Sequence, residues 1–387
     1  MTATPDHVSR LVARTEAIAD PGDLLDHLGP DGFAWLDGES GFVTAGVAGR
    51  LPLHGASATL ARLTHVRDDA APPDAGPRAL GALPFEGGGT LVLPSRIVAR
   101  DRDGRAWRTI VEGAEIPPAL HISRLRAARF SVCTRIEREE WRDRLETTLA
   151  AINAGEVEKV VLSREVDVEA DQPFDVIEVL DALRSAQAGC TVYAIDGFVG
   201  ASPELLVRRT GRAVLCRPMA GTGDDPSELL VSEKDAHEHR IVVDAIAAAL
   251  RAHCDVVECE GPTAVRFATV THLATSIRGV LADDVGAAEL VELLHPTPAV
   301  GGWPSRAAQE MIRTLEGHSR GRYAGACGWV DASGDGEFVV ALRCAEIDGT
   351  HARLFAGAGI VAGSEPGAEW AETQAKLQPM LRALVRP

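Results

Sequence analysis

The stretch ELLVRRTGRAVLCR at 204–217 places two largely apolar runs on either side of Thr210-Gly211. A two-residue link of this kind closes a β-hairpin, so the two runs are expected to be antiparallel strands. With the turn at Thr210-Gly211, Arg209 faces Arg212 and, further out, Glu204 faces Arg217 across the pair. The pattern repeats outward in both directions. TLVLPSRIVARDRDGRAWRTIVE at 90–112 is two apolar runs joined by Asp-Arg-Asp-Gly. YAGACGWVD (323–331), EFVVALRCAEID (337–348) and ARLFAGAGIV (352–361) are joined by turns such as Ser333-Gly334 and Asp348-Gly349. Val157 to Val168 alternates as a strand does. Helical spacing fills the intervals, at Ile136 to Asn153, 232–253, Ala287 to Leu294, 305–316 and 365–385, the last with Pro366 near its start. Hairpin-joined strands with helices between the runs do not form βαβ units, and the fold class is α+β. Nearer the start, His7 to Leu28 shows helical spacing cut at Pro21-Gly22, and Arg67 to Gly89 is dense enough in Pro, Gly and Asp to be a loop.

The chain has 387 residues, and its 39 Lys and Arg against 56 Asp and Glu leave a formal charge of −17. With 45% hydrophobic residues it can bury a core, which argues against disorder. The acidic balance offers no footprint for phosphate backbones or anionic membranes, so neither nucleic acid nor a membrane is expected as a partner. No window approaches the length of an apolar membrane span and the first residues lack a leader's pattern, so a cytoplasmic location is expected. The seven cysteines are scattered without CxxC spacing and read as reduced core thiols.

The chemistry-bearing residues fall in two helices and several strands. Asp235 and Glu238 are three apart on one helical pattern, Glu369 and Glu372 three apart on another, so each pair shares a face. Two such faces brought together make an all-oxygen site suited to a hard cation such as Mg²⁺. His237 and His239 are two apart and cannot share a helical face. Lys376 lies one turn beyond Glu372, and the preceding FAGAGIVAGSEP carries glycines from a strand into that helix, an arrangement suited to an anion. Its GxGxxxG spacing is not that of a dinucleotide site. Arg343 sits among apolar residues and calls for an anionic partner. Lys159 in VEKVVLSRE and Glu204 after Pro203 are also set in apolar surroundings. A desolvated lysine can serve as a base and a shielded carboxyl as an acid, although the Glu204 to Arg217 pairing counts against the second role.

Taken together, EKVVLSRE (158–165), GASPELLV (200–207), RPMAGT (217–222), SEKDAHEH (232–239), THLAT (271–275), LLHPTPAVGGWP (293–304), RYAGACGW (322–329), VALRCAEI (340–347) and FAGAGIVAGSEPGAEWAETQAKL (355–377) resemble the chorismate-utilising enzymes, and among them the isochorismate synthases. The motifs follow that family's order over roughly Ser131 to Leu384. The resemblance implies one large domain over 1–387, with packed antiparallel sheets and flanking helices. Within it, residues 1–125 carry no diagnostic motif, and residues 126–387 form the chorismate-binding region. The resemblance implies Mg²⁺ as cofactor, held by Glu238 and Glu372 with Asp235 and Glu369 in support. Lys376 and the backbone of Gly357, Ala358 and Gly359 would take the ring carboxylate, and Arg343 and Tyr323 the enolpyruvyl carboxylate. His272 would lie near the departing oxygen, with Gly221 and Thr222 also lining the substrate.

The same resemblance assigns Lys159 as the base that activates water for attack at ring C2 and Glu204 as the acid that protonates the leaving C4 hydroxyl. Relatives that add ammonia carry Gln at the position of Lys159, and some have Lys at the position of Ala220. Water is therefore the expected nucleophile, and no glutamine amidotransferase partner is expected. A monomer is expected, with the product feeding menaquinone, siderophore or salicylate synthesis. The nearest rival is a salicylate synthase, which goes on to eliminate pyruvate, and a rival of another class is a non-catalytic chorismate-binding protein.

Overall fold

The computed structural model describes residues 8, 10–121, 127, 129–267 and 270–385. Its sheet network is almost wholly antiparallel. Among the described strands only Val12–Ile18 and Thr64–Arg67 pair in parallel. One run of neighbours goes Phe33–Asp37, Thr191–Ile195, Phe198–Ser202, Cys344–Asp348, His351–Ile360 and Lys159–Ala170. A second goes Arg78–Ala82, Ala326–Asp331, Gly336–Val340, Leu205–Thr210, Ala213–Arg217, Val270–Leu281 and Cys254–Phe267, the last being an edge. The long antiparallel pair Ser40–Pro52 and Thr90–Arg100 joins them, since its first strand pairs with Phe33–Asp37 and its second touches Arg78–Ala82.

Period-two alternation explains how the two runs pack. Phe33 and Trp35 fall in one buried cluster and their neighbours Ala34 and Leu36 in another. The first cluster draws Phe33, Tyr193 and Phe198 from one run and Leu206, Val207 and Phe338 from the other, so the two runs face each other across it. The second cluster sets Val192, Ala194, Val199 and Leu354 against Ile177, Leu180 and Leu183 of the helix Val176–Ala186 and Leu377 and Met380 of the helix Pro366–Leu384. Burial on both faces is why these strands read as near-continuous apolar runs. The α+β reading with packed antiparallel sheets and outer helices is what the structure has.

Three local readings change. The span His7 to Leu28 begins outside the described residues. From Val12 onward it is the strand Val12–Ile18 followed by a short 3-10 turn at Leu24–His27, not helix. The seven residues VARTEAI satisfy either period, and the strand wins because Thr15 inside it bonds to Thr109 and His65 of neighbouring segments. The loop expected at Arg67 to Gly89 contains the strand Arg78–Ala82, whose side chains are mostly buried between two partners. In the hairpin at 204–217 the turn is Gly211-Arg212, one residue later than expected, because Thr210 pairs with Ala213. Gly211 has φ +57°, a conformation glycine adopts freely and β-branched Thr210 does not. A bulge further out then sets Leu205, not Glu204, opposite Arg217. Arg217 therefore does not face the Glu204 carboxyl.

One buried ion pair ties several segments together. Arg320 donates to Glu316 at 2.8 and 2.6 Å, to Val300 O at 2.8 Å and to Val161 O at 2.6 Å. Glu316 in turn accepts from the Ser163 amide at 2.7 Å and its hydroxyl at 2.9 Å. No helix among the described residues is long and apolar enough to cross a membrane. Replacing Arg320 with Met leaves the Glu316 carboxylate buried with too few partners. Urea denaturation should show a loss of about 3–5 kcal/mol, mostly through a lower midpoint, and a loss under about 1 kcal/mol would mean the pair is not what holds these segments.

Candidate active site

The cavity is floored by the paired strands Lys159–Ala170 and His351–Ile360, in which Gly359 lies opposite Val161 and Gly357 opposite Ser163. These glycines permit close approach. A Cβ on Gly359 would stand 2.1 Å from Glu238 Oε1 and 3.0 Å from Lys159 Cε, and one on Gly357 would meet the Tyr323 hydroxyl at 2.8 Å. Ala358, between them, turns its methyl into the core, so only its backbone belongs to this strand's cavity face. Phe355 shares the period-two face of Gly357 and Gly359, lines the cavity and stacks on Tyr323 at 5.0 Å with rings 8° apart.

The two acidic helices meet beside that floor. Glu233–Arg251 is capped by Ser232, whose hydroxyl bonds both the amide and the carboxylate of Asp235. One turn on, Glu238 lines the cavity and lies 2.9 Å from Lys159 Nζ, an ion pair without hydrogen-bond directionality. On Pro366–Leu384, Glu369 pairs with Lys234 at 2.8 Å and Glu372 pairs with Lys376. Lys376 also donates to Gly357 O at 3.0 Å. Each of these three carboxylates thus has its own ammonium. Burial would raise the Glu238 carboxyl, but Lys159, Lys376 and Lys234 outweigh it and hold it below its ordinary range. Glu369 is pushed upward, first by burial and then by Glu372.

Among the described residues no three His, Cys, Asp or Glu side chains already form a metal cluster. The donor set nonetheless fits a hard divalent cation. It is all carboxylate oxygen, and Mg²⁺ needs only one or two such ligands beside water and substrate oxygens. The three ammonium groups already balance the carboxylates' charge at this spot. His239 turns its Nε2 to Thr275 Oγ1 at 2.7 Å, and burial pulls its pKa down to about 4, so the ring is neutral.

Glu204 enters from the strand turn after Pro203 and is 3% exposed. Burial raises its pKa to about 7, against the opposing pull of a Met219 backbone hydrogen bond, Lys159, Arg343 and Lys376. It can therefore carry a proton near neutrality. Lys159, fully buried, stands behind Gly359 and Glu238 rather than on the cavity surface.

Arg343 and His272 form the opposite wall. Arg343 Nη2 lies 2.8 Å from His272 Nε2, and guanidinium can only donate. The His272 proton must then be on Nδ1, which faces Thr222 Oγ1 at 3.1 Å and Gly221 O at 3.3 Å. Burial, and then Arg343, keeps this ring neutral by holding its pKa well below the usual value. Gly221, at φ +76°, lets its strand run against Asp235, where a Cβ would come within 3.0 Å. Arg343 itself has φ +49° and Ala324 has φ +58°, both uncommon for residues with a side chain. The bonds Ala324 N to Ala341 O at 2.9 Å and Ala341 N to Gly325 O at 2.8 Å hold the two bends together. Strain of this kind persists only where its surroundings fix it, and here it aims Arg343 and Tyr323 into one cavity.

The structure thus gathers Lys159, Glu204, Gly221, Thr222, Glu238, His272, Tyr323, Arg343, Gly357, Gly359 and Lys376 around one cavity. Asp235, Glu369 and Glu372 lie behind it. Sequence reasoning does not single out Lys234 as the partner of Glu369, nor the apolar lining from Val161, Met219, Val300, Leu342 and Phe355. A signal for Phe355 does exist, since it stands two residues before Gly357 on the same strand face. The cavity offers cations toward two sides and a proton-bearing carboxyl between them, which suits a small dianion undergoing proton transfer.

Comparison with known proteins agrees with this geometry. Residues 107–385 match the family model for chorismate binding enzymes. The chain is 42% identical over 271 residues to isochorismate synthase DhbC of Bacillus subtilis, covering 64% of this chain and 68% of that one. It is 35% identical over 322 residues to isochorismate synthase EntC of Escherichia coli, covering 79% and 80%. The solved structure of MenF, the menaquinone-specific isochorismate synthase of Escherichia coli, superposes with a TM-score of 0.84 at 27% identity, over 97% of this chain and 95% of that one. The chain belongs to the family of chorismate binding enzymes.

Proposed function

We propose that this chain is an Mg²⁺-dependent isochorismate synthase, an isomerase that moves the hydroxyl of chorismate from C4 to C2, with 1–387 acting as one domain. The observation that carries the reading is a buried carboxyl, Glu204, able to hold its proton near pH 7 in the same cavity wall as Arg343 and Lys376, with Lys159 standing behind Gly359 and Glu238. The similarity to DhbC and EntC supports the same reaction.

Chorismate enters as a dianion. Arg343 and Tyr323 receive the enolpyruvyl carboxylate and Lys376 the ring carboxylate, next to the backbone of Gly357 to Gly359. Neutral His272, with its Nδ1 proton fixed on Gly221 and Thr222, lies along the ring near C4. Water forms its bond to C2, the ring double bond shifts, and the C4–oxygen bond breaks. Lys159 first gives up to solvent the ammonium proton it holds beside Glu238; as the neutral amine it accepts the proton of the incoming water, and Glu204 gives its proton to the departing hydroxyl, which leaves as water. Atoms balance, since one water enters and one departs. Glu238 and Glu372 would hold Mg²⁺, with Asp235 and Glu369 in support, and the cation when bound supplies charge stabilisation at the ring carboxylate. Because water is the nucleophile, the reading requires no ammonia-delivering subunit, and a monomer suffices.

The deciding experiment incubates the chain with chorismate, with and without Mg²⁺, and follows products by liquid chromatography with lactate dehydrogenase reporting pyruvate. Isochorismate formed only with Mg²⁺ and without early pyruvate is expected. Prompt salicylate and pyruvate would make it a salicylate synthase, and unchanged chorismate would overturn the enzyme reading. Lys159→Ala should lower kcat by about 10²-fold or more, on the order expected for a general base, with chorismate binding kept. Unchanged turnover would remove Lys159 from this role.

Glu204→Gln separates function from stability. A carboxyl whose pKa rises from 4.5 in the unfolded chain to about 7 in the folded one destabilises the fold above pH 7 and costs nothing below pH 4.5. The variant should therefore be more stable than the parent at pH 8, by up to about 3 kcal/mol, with no gain at pH 4, while turnover is lost. In the parent, kcat/KM should fall as pH rises through 7. Equal stability of the two proteins at pH 8 would contradict the buried, proton-holding Glu204.

A further inference from the structure

The strand that carries Lys159 turns Arg164 to its other side, where the residue is 2% exposed. Among the described residues no carboxylate contributes to its surroundings, and its pKa is lowered to about 10 by burial and by Arg138. Its Nε donates to Thr373 Oγ1 at 2.7 Å, its guanidinium carbon lies 4.0 Å from the Trp370 ring centre, and its Nη2 has no partner among the described residues. Thr373 is fully buried and its own hydroxyl donates a hydrogen bond to Trp370 O at 2.8 Å. Arg138 at 5.5 Å and an edge-on Trp141 at 6.1 Å also lie against that indole. A buried guanidinium without a counter-ion is costly, and a hydrocarbon of the same size would fill this space at lower cost.

What Arg164 grips explains its presence. Trp370 and Thr373 are three residues apart on the helix Pro366–Leu384, and each directly follows one of the carboxylates Glu369 and Glu372. A side chain one position earlier on a helix points about 100° round the axis. Fixing Trp370 and Thr373 against the catalytic strand therefore fixes where Glu369, Glu372 and, one turn later, Lys376 point. We propose that Arg164 is a positioning residue: clamped on the Trp370 ring and the Thr373 hydroxyl, it sets the rotation of this helix so that Lys376 faces the cavity and Glu369 and Glu372 stand directly behind it. The inference rests on the reading of Glu238 and Glu372 as cation ligands.

The test compares the full-length chain with Arg164→Met, Arg164→Lys and Thr373→Val. Urea unfolding is measured, together with Mn²⁺ affinity by electron paramagnetic resonance, with and without chorismate, and kcat and KM. Arg164→Met should unfold at the same urea concentration as the parent or a higher one, while Mn²⁺ affinity falls about tenfold or more, as for removal of an outer-sphere support. Its kcat should fall with the pH dependence above 7 unchanged. Arg164→Lys keeps charge but not the planar stack, so it should share the loss. Thr373→Val should show the same loss to a smaller degree, and it carries the test if Arg164→Met does not fold. Parental Mn²⁺ affinity and kcat in Arg164→Met, a lowered urea midpoint with parental function in the folded protein, or full rescue by Lys would each overturn the clamp. A parent chain that binds no Mn²⁺ would also overturn it. A parent that binds Mn²⁺ but makes no isochorismate would defeat the proposed reaction alone, since the affinity comparison would still decide the role of Arg164.

Discussion

The antiparallel register between Lys159–Ala170 and His351–Ile360 is the constraint on which the site depends. It sets Gly357 and Gly359 beneath Tyr323 and Glu238, at separations no side chain would allow. It also fixes which residues of the first strand take the cavity's side, Val161 on its wall and Lys159 behind Gly359 and Glu238, and which face the helices, Arg164 among them. A slip of one residue would exchange these faces, putting Val160 or Leu162 where Val161 belongs and turning Arg164 to the cavity's side. The buried pair Arg320 and Glu316 guards against this, since it holds the backbone at Val161 and Ser163 from outside the cavity.

Charge is arranged around that floor with little left uncompensated. Three carboxylates meet three ammonium groups, and the site can gather this much acid only because each is neutralised locally. Glu204 is the exception. Burial outweighs the cations around it, so it holds a proton where an exposed carboxyl would not. Neutral His272 follows the same logic with opposite sign, since burial and Arg343 both disfavour its charged form. Proton donor and neutral ring thus arise from desolvation more than from any paired charge.

Much of this is legible in the sequence because it rests on short-range periodicity. The helix spacing of Asp235 with Glu238, and of Glu369 with Glu372, marks the acidic faces, and the alternating strands mark the antiparallel α+β class. What escapes reading depends on partners far along the chain. The strand at Val12–Ile18 is held by Thr109 and His65, and Arg78–Ala82 is a strand because Ala326–Asp331 and Thr90–Arg100 lie beside it. The hairpin at 204–217 departs from expectation at a finer level. Gly211 takes the first turn position instead of the second, and with the outer bulge this takes Arg217 out of register with Glu204. The objection to Glu204 as an acid rests on that register and goes with it. Lys234 is hidden from sequence reasoning because its pairing with Glu369 requires knowing that the two helices meet.

The edge strand Cys254–Phe267 has a consequence for how the molecule behaves in a crowded solution. Among the described residues it pairs only with Val270–Leu281, and it is exposed along most of its length. Long open edges invite pairing with another chain and hence aggregation. Here the edge carries exposed Asp255, Glu258 and Glu260, and its register breaks at Gly261-Pro262. A second strand arriving along it would meet like charge from an acidic twin and then lose its ladder at the proline, which has no amide to donate. The sheet can thus end at this strand, its open side defended by charge and by a broken ladder instead of by a covering element.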